Sequence, residues 1–154
     1  MEIERKYLID QIPFDLSEYP SRKIEQGYLC TEPVVRIRRD GEDYYLTYKS
    51  KGLMVREEYN LPLTRDAYEH LKPKADGRII TKERFLIPLD DTLTIELDRF
   101  EGDLAPLLLA EVEFQDEEDA DLFVPPEWFG QNVSGDKRYS NSFLSTQTGL
   151  EAFL

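Results

Sequence analysis

The sequence predicts a mainly β (α+β) protein: an eight-stranded antiparallel β-barrel with short helices, including one at the C-terminal end. Two observations indicate this fold class. Eight extended segments follow one another between short turn signals, at the spacing typical of hairpins. Helical patterns are short and lie mostly after the last of these segments. A barrel of eight strands has an interior that can hold one small ligand.

The predicted strands are separated by proline, glycine, serine and aspartate, which favour turns. The strands are predicted over residues 2–9, 22–30, 34–39, 44–49, 54–63, 78–87, 93–100 and 107–115. The clearest turn signal is Asp40-Gly41, a dipeptide typical of tight hairpins. Pro88 closes the sixth segment because proline cannot continue a central strand.

Three short helices are predicted outside the strands. Thr64 can cap the first helix, over 65–71, because its side-chain oxygen can accept a hydrogen bond from a free backbone amide. A second helix is predicted after Asp116, where the helix dipole favours acidic residues in the first turn. Its inward-facing residues are predicted to be Ala120, Leu122 and Phe123. Asp136 can cap the last helix, which would extend through Leu144.

Composition limits the class of protein. The 154 residues suit one domain over 1–154, with no repeat or linker. A net charge of −13 argues against a nucleic-acid partner. One cysteine and one histidine leave no internal disulfide or Cys/His metal site, so a metal would be a hard cation held by oxygens. No membrane span or leader is recognisable, which predicts a cytoplasmic protein. Oligomeric state stays open, and a homodimer is one option.

Charges on alternate positions of the strands segregate by sign. The acidic pairs are Glu2 and Glu4, Glu96 and Asp98, and Glu111 and Glu113; the basic positions are Arg36 and Arg38, Lys82 and Arg84, and Lys49. For any single strand, such a polar face is usually the solvent face. The segregation, together with the preference for arginine, which binds phosphate in a bidentate manner, predicts instead a charged interior and an apolar outer wall.

These residues also resemble the CYTH superfamily, the triphosphate tunnel metalloenzymes. Glu2-x-Glu4-x-Lys6 resembles the family's N-terminal signature. Further motifs follow in the family's order: Gln26-Gly27-Tyr28-Leu29, Arg36-x-Arg38, Thr47-x-Lys49, Lys82-x-Arg84, Glu96-x-Asp98 and Glu111-x-Glu113. Pro125-Pro126-x-Trp128-Phe129-Gly130 and Asp136-Lys137-Arg138-Tyr139-x-Asn141 resemble the tails of small bacterial members. The resemblance covers essentially the whole chain.

The resemblance implies a tunnel that binds a triphosphate with Mg²⁺ or Mn²⁺. The implied metal ligands are Glu2, Glu4, Glu58, Glu111 and Glu113. The implied phosphate ligands are Arg36, Arg38, Lys49, Lys82 and Arg84. Lys6, with Tyr28, would place or activate the attacking water, although Tyr28 is equally well interpreted as a wall aromatic. Asn60 stands where several relatives carry a second acid, so the number of metal ions stays open.

The predicted function is metal-dependent hydrolysis of inorganic tripolyphosphate to pyrophosphate and phosphate. One alternative is a hydrolase or cyclase of an organic triphosphate, such as a nucleoside triphosphate or thiamine triphosphate, or an adenylyl cyclase. Another is a non-catalytic polyphosphate-binding module, which the acidic pairs disfavour because pure binding needs only cations. For Arg56 a place in the tunnel stays open, and a solvated surface role is favoured; a core role is predicted for Trp128 and Phe129.

Overall fold

The computed structural model describes residues 2–51 and 55–145, and for Glu2 and Ser142 the backbone alone. Within this part of the chain, nine strands form one antiparallel sheet. The strands are β1 Glu2–Leu8, β2 Ser21–Thr31, β3 Val34–Asp40, β4 Asp43–Lys49, β5 Val55–Arg56, β6 Glu58–Pro62, β7 Asp76–Pro88, β8 Thr94–Phe100 and β9 Leu108–Phe114. The predicted hairpin turn is confirmed, with Gly41 at a φ of 62°.

One short segment closes the sheet into a barrel. The strand order is β5-β1-β9-β8-β7-β2-β3-β4-β6, so β5 and β6 lie at opposite edges. These two strands are separated in sequence by Glu57 alone. The chain therefore pairs with β1 up to Arg56 and then with β4 from Glu58 onward. The predicted fifth strand is thus two strands with different partners, which explains nine strands in place of eight. Its predicted first residue, Met54, lies outside the described residues.

The helices follow the predicted caps. In α1, Arg65–Leu71, Thr64 accepts a hydrogen bond from the Ala67 amide at 3.1 Å. In α2, Glu117–Leu122, Asp116 accepts one from the Asp119 amide at 2.8 Å. None of the helices in the described part of the chain has the length and hydropathy to cross a bilayer.

Two helix predictions need correction. The helix predicted from Asp136 is a 3₁₀ turn, Lys137–Tyr139, followed by α3, Asn141–Leu144, because Ser140 caps a new helix start there. Leu122 does not face inward: it is 71% exposed. The six-residue α2 ends at this position, and its buried contact with the barrel is made by Ala120.

The outer wall of half the barrel is apolar, as predicted. Alternate residues of β1, β7, β8 and β9 form a buried cluster that includes Tyr7, Phe85, Leu97, Val112 and Phe114. Residues of two loop segments cover this cluster, including Phe14, Tyr19, Phe123, Trp128 and Phe129, whose rings contact one another. Because strand side chains alternate between faces, the charged residues of these strands point into the barrel.

A second apolar cluster fills one end of the barrel. Residues of the C-terminal segment 133–145 pack there against strand residues, namely Val133, Tyr139 and Leu144 against Tyr28, Ile80, Phe100 and Leu109. The segment reaches this position along the edge of β1. Gly130 donates to the Leu8 carbonyl at 2.8 Å and Val133 to the Lys6 carbonyl at 2.8 Å. A side chain at Gly130 would collide with that carbonyl.

Candidate active site

The barrel encloses a cavity of about 360 Å³ beside the second apolar cluster. Ten of the twelve predicted site residues line it: Glu4, Lys6, Tyr28, Arg36, Arg38, Lys49, Glu58, Arg84, Glu111 and Glu113. Of the other two, the Glu2 side chain lies outside the described part of the structure, and Lys82 is buried beneath the wall with no exposed surface.

Strand register places acidic residues of adjacent strands next to one another on the inner face of the barrel. Glu4 on β1 is the direct partner of Glu113 on β9. Glu96 on β8 is the direct partner of Glu111. Neighbouring side chains on one face of an antiparallel pair lie about 4.5–5.5 Å apart at Cβ. These carboxylates and Glu58 therefore share one cavity, although sequence reasoning did not include Glu96 in the site.

The donor chemistry of this acidic wall fits a hard divalent cation, which prefers carboxylate and water oxygens. Among the side chains that the structure describes, which exclude that of Glu2, no three acidic, histidine or cysteine groups already meet in a metal-binding cluster. The carboxylates are thus of a suitable type and line one cavity, and Glu58, Glu96 and Glu111 also contact cations on adjacent strands.

Arg84 is neutralised by acidic neighbours. Its guanidinium donates two hydrogen bonds to the Asp98 carboxylate, at 2.8 and 2.9 Å, and a third to Glu96 at 3.2 Å. Burial raises the pKa of Asp98, but Arg84 and Lys82 outweigh burial and hold that pKa well below its usual range. Asp98 is therefore an ionised, buried counter-ion inside the wall.

Lys82 shares this counter-ion and does not reach the cavity surface. Its ammonium lies 2.6 Å from Asp98 Oδ2 and donates to Asn141 Oδ1 at 3.0 Å. It also lies 5.2 Å from the centre of the Phe100 ring. Burial lowers the pKa of Lys82, and the Asp98 carboxylate opposes that effect. Sequence alternation places Lys82 and Arg84 on the same face, but the C-terminal segment covers Lys82.

The two lysines on the cavity wall also have acidic neighbours. Lys6 Nζ lies 3.3 Å from Glu111 Oε1 and donates to the Tyr139 carbonyl at 3.0 Å. Burial lowers the pKa of Lys6, but Glu111 and Glu4 outweigh burial and raise it overall. Lys49 Nζ lies 3.9 Å from Glu58 Oε1. Both ammonium groups are therefore held in place before any ligand arrives.

Arg36 and Arg38 differ from the other wall cations. Arg38 donates from Nε to the Gln26 side-chain oxygen at 2.8 Å. Arg36 donates to the Thr47 hydroxyl at 3.3 Å, and its Nε has no partner among the described residues. Burial, followed by repulsion from Arg36 and Arg84, lowers the pKa of Arg38 to about 9. These arginines thus form a cationic patch held by neutral acceptors.

The structure adds residues that sequence reasoning placed elsewhere or missed. Arg56 lines the cavity, so the predicted surface role is wrong. The reason is barrel closure: β5 pairs with β1 and turns Arg56 inward with Glu58. Ser140 and Asn141 of the C-terminal segment also line the cavity. Arg56 and Glu58 are two residues apart, and this spacing was the sequence signal that could have placed Arg56 on the inner face. Asn141 is part of the tail motif Asp136-Lys137-Arg138-Tyr139-x-Asn141.

The fold and the cavity together define a class of protein: an antiparallel β-barrel whose interior carries cationic side chains beside carboxylates of the type that suits a divalent cation. The CYTH domain model matches residues 1–134, and the chain belongs to this family. Triphosphate tunnel enzymes of this family generally depend on divalent metal ions.

The chain is similar to two proteins named "Inorganic triphosphatase". It is 42% identical to that of Nitrosomonas europaea over 147 residues, which cover 94% of this chain and 96% of the relative. It is 34% identical to that of Acetivibrio thermocellus over 148 residues, covering 93% and 92%. A crystal structure of the inorganic triphosphatase NE1496 matches with a TM-score of 0.72 and 39% identity, covering 97% of both chains.

Proposed function

We propose that this protein hydrolyses inorganic tripolyphosphate to pyrophosphate and phosphate, with Mg²⁺ or Mn²⁺ as cofactor. One observation carries the proposal. A patch of two arginines held by neutral acceptors faces the same barrel cavity as the carboxylates of β1, β6 and β9. The relatives named inorganic triphosphatase support this choice of substrate. The proposed organisation as one domain over 1–154, the homodimer option and the cytoplasmic location stay predictions.

The cationic wall is proposed to bind the phosphates. Tripolyphosphate carries several negative charges, and fixed cations must neutralise them along its length. Arg36 and Arg38 offer charge that no carboxylate within the described residues has paired, and Arg84 and Lys49 extend the wall. Lys82 acts from beneath the surface, since it shares the Asp98 counter-ion with Arg84.

The acidic wall is proposed to hold the metal ion. The ligands are Glu2, Glu4, Glu58, Glu111 and Glu113. A divalent ion held there would supply positive charge for the phosphate oxygens and would help to activate water as the nucleophile. Burial raises the pKa of Glu111, but Lys6, Arg84 and Lys82 outweigh burial and hold it well below its usual value. Glu111 is therefore ionised and ready to act as a ligand.

Lys6 is proposed to position the attacking water. Its ammonium is fixed by Glu111 and the Tyr139 carbonyl, so it can donate its remaining hydrogen to one further acceptor in the cavity. Tyr28 borders both the cavity and the second apolar cluster. Phosphoryl transfer needs an in-line nucleophile and charge stabilisation; Lys6 is proposed to place the nucleophile, and the cationic wall is proposed to stabilise the charge.

The test measures phosphate release from tripolyphosphate, ATP and thiamine triphosphate, with Mg²⁺ or Mn²⁺ and with a chelator. Wild type should be fastest on tripolyphosphate and inactive with chelator. Glu4→Gln should lose activity and keep its circular dichroism spectrum, because it removes one metal-ligand charge. Glu42→Gln, the same change in the exposed β3–β4 turn, should match wild type. Full activity of Glu4→Gln would contradict the metal assignment.

The same assay separates the alternative functions. Faster turnover of ATP or thiamine triphosphate would make the protein an organic triphosphatase, and cyclic AMP from ATP would make it a cyclase. Calorimetric binding of tripolyphosphate without phosphate release under any metal condition would identify a non-catalytic polyphosphate-binding module.

A further inference from the structure

Gln26 lies behind the arginine patch in an unusual hydrogen-bonding position. Its side chain is 0% exposed, and β2–β3 register makes it the direct partner of Arg38. Its Oε1 accepts from Arg38 Nε at 2.8 Å, while its Nε2 has no acceptor among the described residues. A buried polar group without a partner is costly, and native proteins leave few of them.

The acceptor at this position is neutral, in contrast to the acceptor beside the next arginine along the wall. Arg84 has the Asp98 carboxylate as its direct cross-strand partner and is paired with it in the folded protein. Arg38 has an amide oxygen in the equivalent position. A neutral acceptor holds the guanidinium in one orientation and leaves its charge available, whereas a carboxylate would compete with an anionic ligand.

Arg36 shows the same arrangement on the same strand. Its guanidinium donates to the Thr47 hydroxyl at 3.3 Å, and this hydroxyl donates to Asn60 Oδ1 at 2.6 Å. Its Nε is a second buried donor without an acceptor in the described part of the chain. Both arginines are thus supported by neutral groups, and two buried N–H donors beside them await acceptors. A phosphate chain in the cavity offers anionic oxygens to the guanidinium groups of Arg36 and Arg38.

We propose that Gln26 is a positioning residue for the triphosphate. Its carbonyl fixes Arg38 through Nε, so that Nη1 and Nη2 point their hydrogens toward the ligand, and its neutrality preserves the charge of the patch. This inference rests on the proposed function, since it assumes that the patch binds the phosphates of the substrate.

Two variants test the inference. Gln26→Glu retains the acceptor oxygen and adds a negative charge beside Arg38. Gln26→Met has a similar length and removes both hydrogen-bonding groups. Gln11→Glu, the same charge change in an exposed loop, is the control. The measurements are calorimetric affinity for tripolyphosphate in metal-free buffer, KM and kcat with Mg²⁺, and the melting temperature.

We expect Gln26→Glu to weaken tripolyphosphate binding by about tenfold or more, since it neutralises a cation that would otherwise bind phosphate. KM should rise by a similar factor while kcat stays near wild type, because the lost interaction is made equally in the ground and transition states. Gln26→Met should weaken binding less, and Gln11→Glu should match wild type. A role in stability alone would lower the melting temperature and leave affinity and KM unchanged.

Unchanged affinity and KM in Gln26→Glu would overturn the inference, and this variant decides the matter if Gln26→Met does not fold. A wild-type protein that neither binds nor hydrolyses tripolyphosphate would overturn the proposed function itself. A wild type that hydrolyses tripolyphosphate beside a Gln26→Glu variant of equal affinity would overturn the positioning role alone.

Discussion

Replacement of Asp98 by asparagine removes the buried counter-ion of the cationic wall. The carboxylate accepts two hydrogen bonds from Arg84, at 2.8 and 2.9 Å, and lies 2.6 Å from Lys82 Nζ. It is 1% exposed, so bulk water cannot take its place. Breaking a buried ion pair by removing one partner costs about 3–5 kcal/mol. Because two cations lose the same partner, we expect Asp98→Asn to lower the free energy of unfolding by at least about 3 kcal/mol.

Urea unfolding measures this loss. The single tryptophan, Trp128, packs edge-on against Phe14 and Phe129, so its fluorescence reports loss of the packed wall. The control is Asp121→Asn, which breaks a pair with Arg5 at a carboxylate that is 73% exposed. That variant should change stability by less than about 1 kcal/mol. Tripolyphosphate should stabilise Asp98→Asn more than wild type, since an anion then meets unpaired cations.

The pH dependence follows from the lowered pKa of Asp98, which Arg84 and Lys82 maintain against the effect of burial. A carboxyl whose folded pKa is lowered stabilises the protein above its unfolded pKa, and the stabilisation is lost as pH falls through the folded pKa. On the acid side, the difference in unfolding free energy between wild type and Asp98→Asn should therefore be full at about pH 5 to 6 and narrow below about pH 4. A difference under about 1 kcal/mol near neutral pH would refute the buried-counter-ion reasoning.

Three further outcomes are expected. Arg38→Ala should lower kcat/KM for tripolyphosphate in steady-state assays, by a factor that corresponds to a loss of roughly 2–5 kcal/mol of transition-state stabilisation. An equal loss of kcat/KM in the control Arg39→Ala would contradict the assignment. Millimolar Mg²⁺ or Mn²⁺ should raise the melting temperature, because a metal concentration one hundred times Kd stabilises the folded state by about 2.7 kcal/mol. An unchanged melting temperature would count against the metal site. Glu25→Gln should destabilise by about 1–2 kcal/mol in urea, because Glu25 accepts from Tyr68 at 2.8 Å and lies 2.9 Å from Lys72. Burial raises the pKa of Glu25, but Lys72 and Tyr68 outweigh burial and lower it, so this loss should shrink below about pH 4.

Strand positions and faces could be predicted because alternation is a local property of the chain. The predicted third strand differs from β3 by one residue, and the helix predicted over 65–71 has the same bounds in the structure. The break at Glu57 could not be predicted, since it depends on which two strand edges meet when the barrel closes. Leu122 was misplaced because its helix ends before that face is covered.

Ten of the twelve predicted site residues line the cavity, but the sequence did not predict how deeply each side chain is buried. Arg84 and Lys82 have the same sequence signal, yet Arg84 lines the cavity and Lys82 is buried beneath it. The difference arises from residues far along the chain, because Asn141 binds Lys82 and the segment around Tyr139 fills that end of the barrel. The alternation of residues along a strand does not show which distant segment will cover a side chain, so the burial of Lys82 could not be predicted from it.

The sequence by itself determined which residues face the interior and with what sign of charge, because a period of two assigns side chains to faces. The tertiary structure alone decided which of those charges are already paired. Pairing depends on cross-strand register, which sets Arg84 beside Asp98 and Arg38 beside Gln26. A strand does not encode its neighbour's register, so the contrast between a neutralised arginine and an available one appears only when the barrel is assembled.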